Sequence, residues 1–408
     1  MQNTIAIIGG GASGLCAAIR ARELGADVTI LERQPRVGKK LIATGNGRCN
    51  LTNLCAATNP EHYHGGTDIM REPMRRFPPE KILSFFRTLG VEALREGEKV
   101  YPLSEQASSV LDALRFRIDE LGVRTRLEFD VTRIEQRDGR FVLHARDGRN
   151  QTADKLIMAC GSPSAPSLGG TDAGLALMRS LGFDCAPSLP ALVQLRTDTE
   201  HIRALTGIRF MGGATLLVDG TPMRTEPGEI LFAEYGLSGP AILQLSRIAA
   251  AALKSRKSAC VHLHILPNIT VESLRRRRDI LSVRPIEHFF TGMLNKRLGQ
   301  TLLKIAGCGT FGLPSGSLCD FQLENLSAVM ADWPIDVVGT QGLEHAQVAS
   351  GGVKTAQFDP LTLASLRVPG LYATGELLDI DGDCGGFNLQ WAWASGLLAA
   401  ESACADNQ

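Results

Sequence analysis

The sequence predicts an α/β fold in which a domain built from both ends of the chain is interrupted by two inserted segments. Three observations support this prediction. Residues 5–32 run from an apolar strand through a glycine loop and a helical pattern to a second strand, which is the order of a βαβ unit. The C-terminal fifth of the chain returns to glycine loops, a short strand and a helix of small residues. Between the two ends, the pattern changes first to short β-like runs and then to helical spacing.

The predicted βαβ unit has the spacing that a dinucleotide requires. Its loop reads G-x-G-x-x-G, with Gly9, Gly11 and Gly14 at the glycine positions. Gly9 permits a tight turn, Gly11 lets the backbone approach a pyrophosphate, and Gly14 brings the helix close to the sheet. The helix predicted over 13–24 offers unpaired N–H groups to the phosphates. Glu32, eighteen residues after Gly14, is placed for the ribose hydroxyls, so an ordinary glycine loop is the weaker interpretation.

Composition excludes several classes of protein. With 408 residues the chain is long enough for two or three domains, and 43 Lys plus Arg against 43 Asp plus Glu leave no field that favours nucleic acid or an anionic membrane. No apolar run reaches the ~18 residues of a membrane span, and no signal-peptide pattern precedes the first strand. The ten cysteines lack C-x-x-C and zinc spacing, which indicates reduced thiols. We therefore expect a cytoplasmic protein that acts on a small molecule without nucleic acid or metal; its oligomeric state is left open.

The loop after the second strand is the next candidate for chemistry. Residues 44–50 read T-G-N-G-R-C-N, which combines turn formers and hydrogen-bond donors more densely than a connecting loop needs. Lys39 and Lys40, just before it, also fit a solvated basic loop. A later strand, predicted over 155–160, ends at Gly161 before a loop rich in Ser, Pro and Gly. That arrangement again indicates backbone close to a ligand.

Other elements of the first half are assigned to the core. Amphipathic helices are predicted over 78–89 and 104–121, and two β-segments within 123–145 flank a turn at residues 137–139. The apolar residues of these elements have ordinary helical or strand spacing. We therefore interpret them as packing residues and not as contacts of a cofactor.

The middle of the chain changes character twice. Residues 190–265 form short β-like runs separated by glycine turns, and residues 271–306 have helical spacing. The second segment contains the run Arg275 to Arg278, which we interpret as a solvated helix face in preference to a contact for an anionic partner. The predicted boundaries are 1–190 and 340–408 for the cofactor domain, 191–266 for a β-rich, barrel-like domain and 267–339 for a small helical domain.

The C-terminal fifth returns to the chemistry of nucleotides. Residues 369–376 read as a turn, a short strand and an acid, Glu376, and a segment rich in Asp and Gly follows. A buried helix is predicted over 388–400, and its start emerges from Gly385 and Gly386. Free N–H groups at that helix end would face a ligand. If the ligand is a flavin, the helix dipole stabilises negative charge at the N1/C2 edge of the reduced ring.

With these motifs the chain resembles the bacterial FAD-binding flavoproteins grouped with bile-acid enone reductases and aminoacetone-oxidase-like enzymes. That family is related in its cofactor domain to fumarate reductases and glutathione reductase. The resemblance covers nearly the whole chain and is most specific in residues 37–53 and 369–396. It implies a Rossmann-like, glutathione-reductase-type FAD domain formed by both chain ends, with a β-rich and a small helical insertion.

The resemblance also implies roles for individual residues. Glu32 would bind the adenosine ribose, Val131 would border the adenine, and Glu376 would hold the ribityl or pyrophosphate region. The remaining positions would line the pyrophosphate and the flavin. The complete set of implied cofactor-binding residues is Gly9, Gly11, Ala12, Ser13, Gly14, Glu32, Arg33, Lys40, Gly45, Gly47, Arg48, Cys49, Asn50, Val131, Cys160, Gly161, Gly375, Glu376, Gly385, Gly386, Phe387, Asn388 and Leu389.

The sequence departs from the family pattern in two places. Cys160 stands where a threonine is common before Gly161, which changes the local packing. The segment Phe232-Ala233-Glu234 stands where Phe-Thr-His or Phe-Thr-acid is frequent. The family places that loop over the flavin, so the second departure leaves the identity of the substrate open.

The first hypothesis for function is an NADH- or NADPH-dependent reductase of an activated C=C bond, such as a steroid-like enone. Hydride from flavin N5 would reach the β-carbon, and an acid would protonate the α-carbon. Tyr235, Glu234 and Tyr101 are the candidate acids, with a structural role equally open for each. His62 and His345 are interpreted as plain polar residues. Because only one complete dinucleotide fingerprint is present, the nicotinamide would be a transient donor.

Two further hypotheses stay open at this stage. The first is an oxidase that takes a hydride from a small amine or amino ketone and passes the electrons to dioxygen, producing peroxide. The second is a non-catalytic flavin-binding sensor whose contact surface is the run Arg275 to Arg278. The sensor hypothesis requires those four arginines to be available to a partner.

Overall fold

The structure is a computed structural model that describes residues 3–405. The chain divides into two compact units. The first combines the residues up to Leu189 with those from Gln347 onward, and the second contains Pro190–Ala346. The division into three domains with the boundaries given above stays a prediction.

From residue 3, where the described part of the chain begins, to the end of β12, the structure has twelve strands and five α-helices. These helices are α1 (Ala12–Glu23), α2 (Arg71–Arg76), α3 (Pro79–Thr88), α4 (Ala107–Glu120) and α5 (Ala173–Ser180). These strands are β1 (Thr4–Ile8), β2 (Asp27–Leu31), β3 (Thr52–Asn53), β4 (Tyr63–Gly65), β5 (Ala93–Glu96), β6 (Lys99–Pro102), β7 (Arg124–Arg126), β8 (Val131–Arg137), β9 (Arg140–Ala145), β10 (Asn150–Ala153), β11 (Lys155–Met158) and β12 (Cys185–Ala191).

The second unit contains six strands and four helices, and the C-terminal part of the first unit follows it. The second unit consists of β13 (Leu195–Thr197), β14 (Arg209–Val218), β15 (Thr221–Ala233), β16 (Gly236–Ser238), α6 (Pro240–Lys254), β17 (Ala259–His264), α7 (Val271–Ile280), α8 (Lys296–Ile305), α9 (Asp320–Ala331) and β18 (Trp333–Thr340). The C-terminal part consists of β19 (Val348–Val353), β20 (Leu371–Ala373), β21 (Ile380–Gly382) and α10 (Phe387–Ala405).

The centre of the first unit is a parallel sheet built from both ends of the chain. Its strand order is β20-β11-β1-β2-β7. β1 pairs in parallel with β2 and with β11, and the C-terminal strand β20 pairs in parallel with β11. Apolar side chains of the central strands, such as Ile7, Ile30 and Ile157, are fully buried, as expected for a sheet that is covered on both faces. The Rossmann-like fold predicted from the two chain ends is therefore confirmed.

Helices α1 and α10 pack against each other through their small residues. A Cβ atom at Gly396 would lie 2.3 Å from the carbonyl oxygen of Ser13, so the two helix backbones approach closely. Most residues of helix α10 are buried, Trp391 and Trp393 among them. The buried helix predicted over 388–400 is thus confirmed and extends from Phe387 to Ala405.

The second unit is organised around a closed barrel with the strand order β13-β16-β15-β14-β17-β18. The β-rich segment predicted over 191–266 thus supplies five of the six barrel strands, and β18, from the segment predicted as helical, supplies the sixth. The inward-facing residues of the barrel, including Leu216 and Val261, belong to the same buried cluster as Leu245 of α6, Leu302 of α8 and Leu323 of α9. Barrel and helices thus share one hydrophobic core within this unit.

Among the residues that the structure describes, no helix is both long and apolar enough to cross a membrane. The ten cysteines all lie within the described range and are all free thiols.

Candidate active site

A cavity of about 240 Å³ opens at the carboxyl ends of the parallel strands in the first unit. This is the edge of a doubly wound sheet at which nucleotides bind. The predicted cofactor residues that line it are Gly9, Gly11, Ala12, Ser13, Glu32, Arg33, Lys40, Val131, Cys160, Gly161, Glu376, Asn388 and Leu389. The cavity therefore gathers residues from both chain ends.

The three glycines of the first loop differ in what surrounds them. Gly9 has φ +107°, and a Cβ there would lie 2.3 Å from the carbonyl oxygen of Ala159 on the neighbouring strand connection. A Cβ at Gly14 would lie 2.0 Å from the carbonyl oxygen of Gly9, so the start of α1 lies directly against the turn. A Cβ at Gly11 would meet no atom within 4 Å. Because Gly11 lines the cavity, the space beside it is open to a ligand.

The start of α1 presents backbone donors to this space. Gly11 is the N-cap residue and provides no side-chain cap, and the first turn contains no acidic residue. Ala12 and Ser13 line the cavity, so the positive end of the helix dipole faces it. This combination of open space, N–H groups and dipole is the one that binds phosphate groups.

The Glu32 carboxylate is held at the end of β2 by two backbone donors. The N–H of Gly10 donates to Oε2 over 2.8 Å, and the N–H of Gln34 donates to Oε1 over 2.7 Å. Each oxygen keeps acceptor capacity beyond the bond it already makes. The side chain lines the cavity together with Val131, so it is positioned to accept hydrogen bonds from ribose hydroxyls.

Lys40 and Glu376 form an ion pair across the cavity wall. Lys40 Nζ lies 2.8 Å from Glu376 Oε2 and also donates to Ser164 Oγ over 2.6 Å. Glu376 Oε1 accepts from Ser162 Oγ and from the N–H of Ala349, at 2.8 Å and 2.9 Å. Burial raises the pKa of Glu376, but Lys40 and these donors lower it more, so the net pKa lies below the ordinary value and the carboxylate stays charged.

The remaining predicted cofactor residues lie outside the lining of this cavity. They are Gly14, Gly45, Gly47, Arg48, Cys49, Asn50, Gly375, Gly385, Gly386 and Phe387. Several of them form a second cluster around the start of α10. A Cβ at Gly386 would lie 2.9 Å from Asn50 Oδ1, and one at Gly45 would lie 2.8 Å from the backbone nitrogen of Asn50. Asn50 Oδ1 is buried and has no hydrogen-bond partner in the described part of the chain.

Arg48 and Cys49 have structural partners in this second cluster. Arg48 pairs with Glu96 and Glu105 at 2.5 Å and 2.9 Å, and its guanidinium lies 4.0 Å from the centre of the Tyr101 ring. Burial raises the pKa of Cys49 to about 12, which keeps the thiol neutral. Both side chains are therefore engaged by the protein itself.

The three predicted acids belong to different units. Tyr101 is on β6 in the first unit and is 9% exposed; burial raises its pKa, and the phenol is neutral. Glu234 and Tyr235 form the turn between β15 and β16 in the second unit. Glu234 is exposed, whereas Tyr235 is half-buried and its carbonyl accepts a hydrogen bond from Thr197. No described residue is hydrogen-bonded to the Tyr101 hydroxyl.

Several lining residues escaped prediction from sequence. Ser162 and Ser164 complete the Lys40–Glu376 network, and only the general richness of their loop in Ser, Pro and Gly indicated them. Phe129 and Ala392 also line the cavity but look like ordinary core residues in the sequence. These residues reach the cavity through contacts between distant parts of the chain, which spacing alone does not show.

The residues present fit a flavin adenine dinucleotide. The gap at Gly11 and the open start of α1 suit a pyrophosphate, the Glu32 carboxylate suits a ribose, and the orphaned oxygen of Asn50 beside the start of α10 suits a ring N–H donor. No group of three or more metal-ligating side chains occurs within residues 3–405.

Comparison with known proteins agrees with this geometry. Residues 3–402 match the model of the HI0933-like protein Rossmann domain family. The chain belongs to the HI0933-like family. It is 37% identical to the 3-dehydro-bile acid delta(4,6)-reductase of Clostridium scindens over 98% of this chain and 99% of the relative. It is 28% identical to the ribosomal RNA dihydrouridine synthase of Haemophilus influenzae over 97% of each chain.

Two solved enzyme structures are similar to this chain in fold. The open conformation of a flavocytochrome c3 fumarate reductase matches with a TM-score of 0.50 and 14% identity, covering 99% of this chain and 78% of that one. The 3-ketosteroid delta1-dehydrogenase of Sterolibacterium denitrificans matches with a TM-score of 0.50 and 13% identity, covering 99% and 100%. These likenesses show the fold. With its family and FAD-binding fold, this HI0933-like protein is an FAD-dependent oxidoreductase.

Proposed function

We propose that this HI0933-like protein uses NADH or NADPH to reduce a C=C bond conjugated to a carbonyl group, in a steroid-like substrate. The observation that carries the proposal is the 37% identity, over nearly the full length of both chains, with a relative named as a bile-acid delta(4,6)-reductase. Identity spread over the whole chain includes both inserted segments as well as the cofactor domain. The likeness is therefore more than a shared cofactor site.

The other named relatives support the same class of reaction. Dihydrouridine differs from uridine by reduction of a C=C bond that is conjugated to a ring carbonyl. A bile-acid delta(4,6)-reductase and a dihydrouridine synthase thus act on one functional group in different molecules. We favour the steroid-like substrate because the identity with the bile-acid reductase is higher, and because three of the four residues in the arginine run, Arg275, Arg277 and Arg278, pair within the chain.

The residues of the first unit have distinct tasks in this proposal. The bound FAD supplies hydride transfer at its flavin ring. The start of α1 and Glu32 bind the diphosphate and ribose, while the Lys40–Glu376 pair fixes the loops that form the cavity wall. The start of α10, between Gly386 and Asn388, would present N–H groups and the positive end of the helix dipole to the flavin. These would stabilise negative charge on the reduced flavin ring.

The nicotinamide is proposed to be a transient donor. The fingerprint at Gly9 to Gly14 has a strand before it and a helix after it. A second G-x-G-x-x-G spacing, at Gly307, Gly309 and Gly312, instead follows helix α8 and leads into an irregular segment. It therefore lacks the βαβ context of a dinucleotide site.

The proposal is tested by turnover under anaerobic conditions. The purified FAD-loaded protein is incubated with NADH or NADPH and 3-oxochola-4,6-dienoic acid, a bile-acid dienone that carries the bonds named for the relative. We expect oxidation of the nicotinamide together with a product that has gained two hydrogen atoms. Peroxide formation from a small amine in air, with no reduction of the dienone, would favour the oxidase hypothesis instead.

A further inference from the structure

A buried carboxylate lies between two histidines close to the start of α10. Asp383 is 4% exposed, and its two oxygens contact different imidazoles. His62 Nδ1 lies 2.9 Å from Oδ2, and His64 Nε2 lies 3.2 Å from Oδ1. An ionised carboxylate only accepts hydrogen bonds, so each imidazole donates an N–H to it.

The backbone holds this cluster in register. β4 and β21 pair antiparallel, with Tyr63 opposite Gly382 and His64 opposite Asp381. The N–H of Asp383 donates to the carbonyl of His62 over 2.9 Å, which continues the pairing by one step. The histidines and the carboxylate are thus brought together by a strand pair and not by flexible loops.

The position of His62 links the cluster to the cofactor cavity. Its imidazole stacks on the ring of Phe387, with centroids 4.6 Å apart. Phe387 is the first residue of α10, and Asn388 and Leu389, the next two residues, line the cavity. His62 therefore lies at the end of α10 that reaches the cavity.

The second ring nitrogen of His62 is available for chemistry. Because Nδ1 bonds to Asp383, Nε2 is the ring nitrogen that is left to contact a substrate. No described residue forms a hydrogen bond with Nε2, and the side chain is 33% exposed. A histidine oriented by a buried aspartate is the arrangement in which an imidazole exchanges protons with a substrate.

We propose that His62 is the acid that protonates the substrate, with Asp383 as its positioning residue. The inference rests on the proposed function. The β-carbon of the enone gains the hydride, the π pair of the C=C bond moves to the α-carbon, and that carbon takes the proton from Nε2 of the imidazolium. Neutral His62 then regains a proton from solvent, so the product carries one hydride and one proton.

The test separates the step that needs an acid from the step that does not. The FAD-loaded protein is reduced with dithionite without oxygen and mixed with 3-oxochola-4,6-dienoic acid, while reappearance of the flavin band is followed. His62→Asn is compared with wild type and with His144→Asn, a histidine that pairs with Glu135 at 3.4 Å elsewhere in the first unit. Reduction by NADH or NADPH is measured separately for each variant.

We expect His62→Asn to slow reoxidation by the dienone ~100-fold or more, the contribution typical of general acids, and to leave reduction by the nicotinamide unchanged. His144→Asn should match wild type in both steps. In His62→Gly, added imidazole should restore part of the reoxidation rate, which a purely structural role of the side chain would not allow.

Three results would overturn the inference. If wild type is reoxidised by the dienone and His62→Asn is equally fast, the acid lies elsewhere while the proposed function stands. If both half-reactions of His62→Asn are slowed and imidazole restores nothing, the role of His62 is structural. If the reduced wild type does not react with the dienone at all, the proposed function fails and the assignment of His62 fails with it.

Discussion

At the scale of single residues, the lack of a side chain has opposite consequences at two glycines of the same loop. At Gly14 it prevents a collision inside the protein, since a Cβ would lie 2.0 Å from the carbonyl oxygen of Gly9. At Gly11 it leaves space that no protein atom uses within 4 Å. A side chain at Gly14 therefore disturbs folding, whereas one at Gly11 disturbs only what binds in the cavity.

We predict that Gly11→Val folds normally and loses FAD. The valine side chain would extend into the space assigned to the diphosphate, so the purified protein should be colourless while its thermal unfolding without cofactor stays close to that of wild-type apoprotein. FAD content by absorbance and unfolding by circular dichroism measure the two effects. Gly339→Val in β18, whose Cβ would be 3.8 Å from Arg196, is the control and should retain FAD. If purified Gly11→Val holds one FAD per chain, the diphosphate does not bind beside Gly11.

The negative charge of the Glu376 carboxylate stabilises the fold through its ion pair and hydrogen bonds. It accepts from Ser162 and from Ala349, and it pairs with Lys40. Its pKa is lowered by these contacts in spite of burial. A lowered pKa contributes stability above the unfolded-state value of roughly 4.3, and that contribution is lost as the pH falls through the folded-state value.

We predict that Glu376→Gln lowers the free energy of unfolding by about 1–3 kcal/mol at neutral pH, because Lys40 loses its partner. The difference between wild type and variant should begin to shrink as the pH falls below the unfolded-state value of roughly 4.3, and it should be lost once the pH is below the lowered pKa of folded Glu376. Urea unfolding at several pH values measures this. In a double-mutant cycle, Lys40→Met should recover part of the loss, and strictly additive effects would show that the pair is uncoupled.

At the scale of elements, helix α7 shows that a basic run can be structural. Arg275 and Arg278 both pair with Asp320, at 3.1 Å and 3.2 Å. Arg277 donates to the backbone carbonyls of Phe289 and Thr291 at 2.6 Å and 2.7 Å. These contacts fasten α7 to the neighbouring segment and to the start of α9. The run predicted as a solvated helix face thus has Arg276 exposed, while its other three residues are half-buried and paired within the chain.

We predict that Arg277→Ala destabilises the protein by about 1–3 kcal/mol, because two hydrogen bonds from a charged group are lost. Arg276 is its neighbour on the same helix, and Arg276→Ala should have a free energy of unfolding within ~0.5 kcal/mol of wild type. Chemical unfolding of the two variants side by side makes the comparison. If the two variants are equally stable, Arg277 has no structural role, and the run would again be a candidate contact surface under the sensor hypothesis.

Elements with strong local patterns could be predicted from the sequence. The helix predicted over 104–121 spans Ala107–Glu120, and the strands around residues 137–139 are β8 and β9. Local apolar spacing and a turn dipeptide define such elements. The strand order of the barrel could not be predicted, since β13 pairs with β18 across more than a hundred residues and nothing local determines that pairing.

At the scale of the whole molecule, the cofactor site depends on segments that are far apart in the chain. Glu32 and the glycine loop were predictable because their spacing is fixed by one βαβ unit. The link between Lys40 and Glu376 was not predictable, because it depends on the pairing of β20 with β11, two strands that are far apart in the chain. His62 was interpreted as a plain polar residue for the same reason: its partner Asp383 lies 321 positions away.

The proposed function rests on electrons passing from a nicotinamide to FAD and then to a conjugated C=C bond. Anaerobic absorbance of the purified yellow protein, followed for seconds after NADH or NADPH is added in separate cuvettes, tests the first transfer directly. We expect rapid bleaching of the flavin band by one of the two donors, and its return when the dienone is added. No bleaching by either donor in protein that holds stoichiometric FAD would contradict the reductase and favour an amine oxidase.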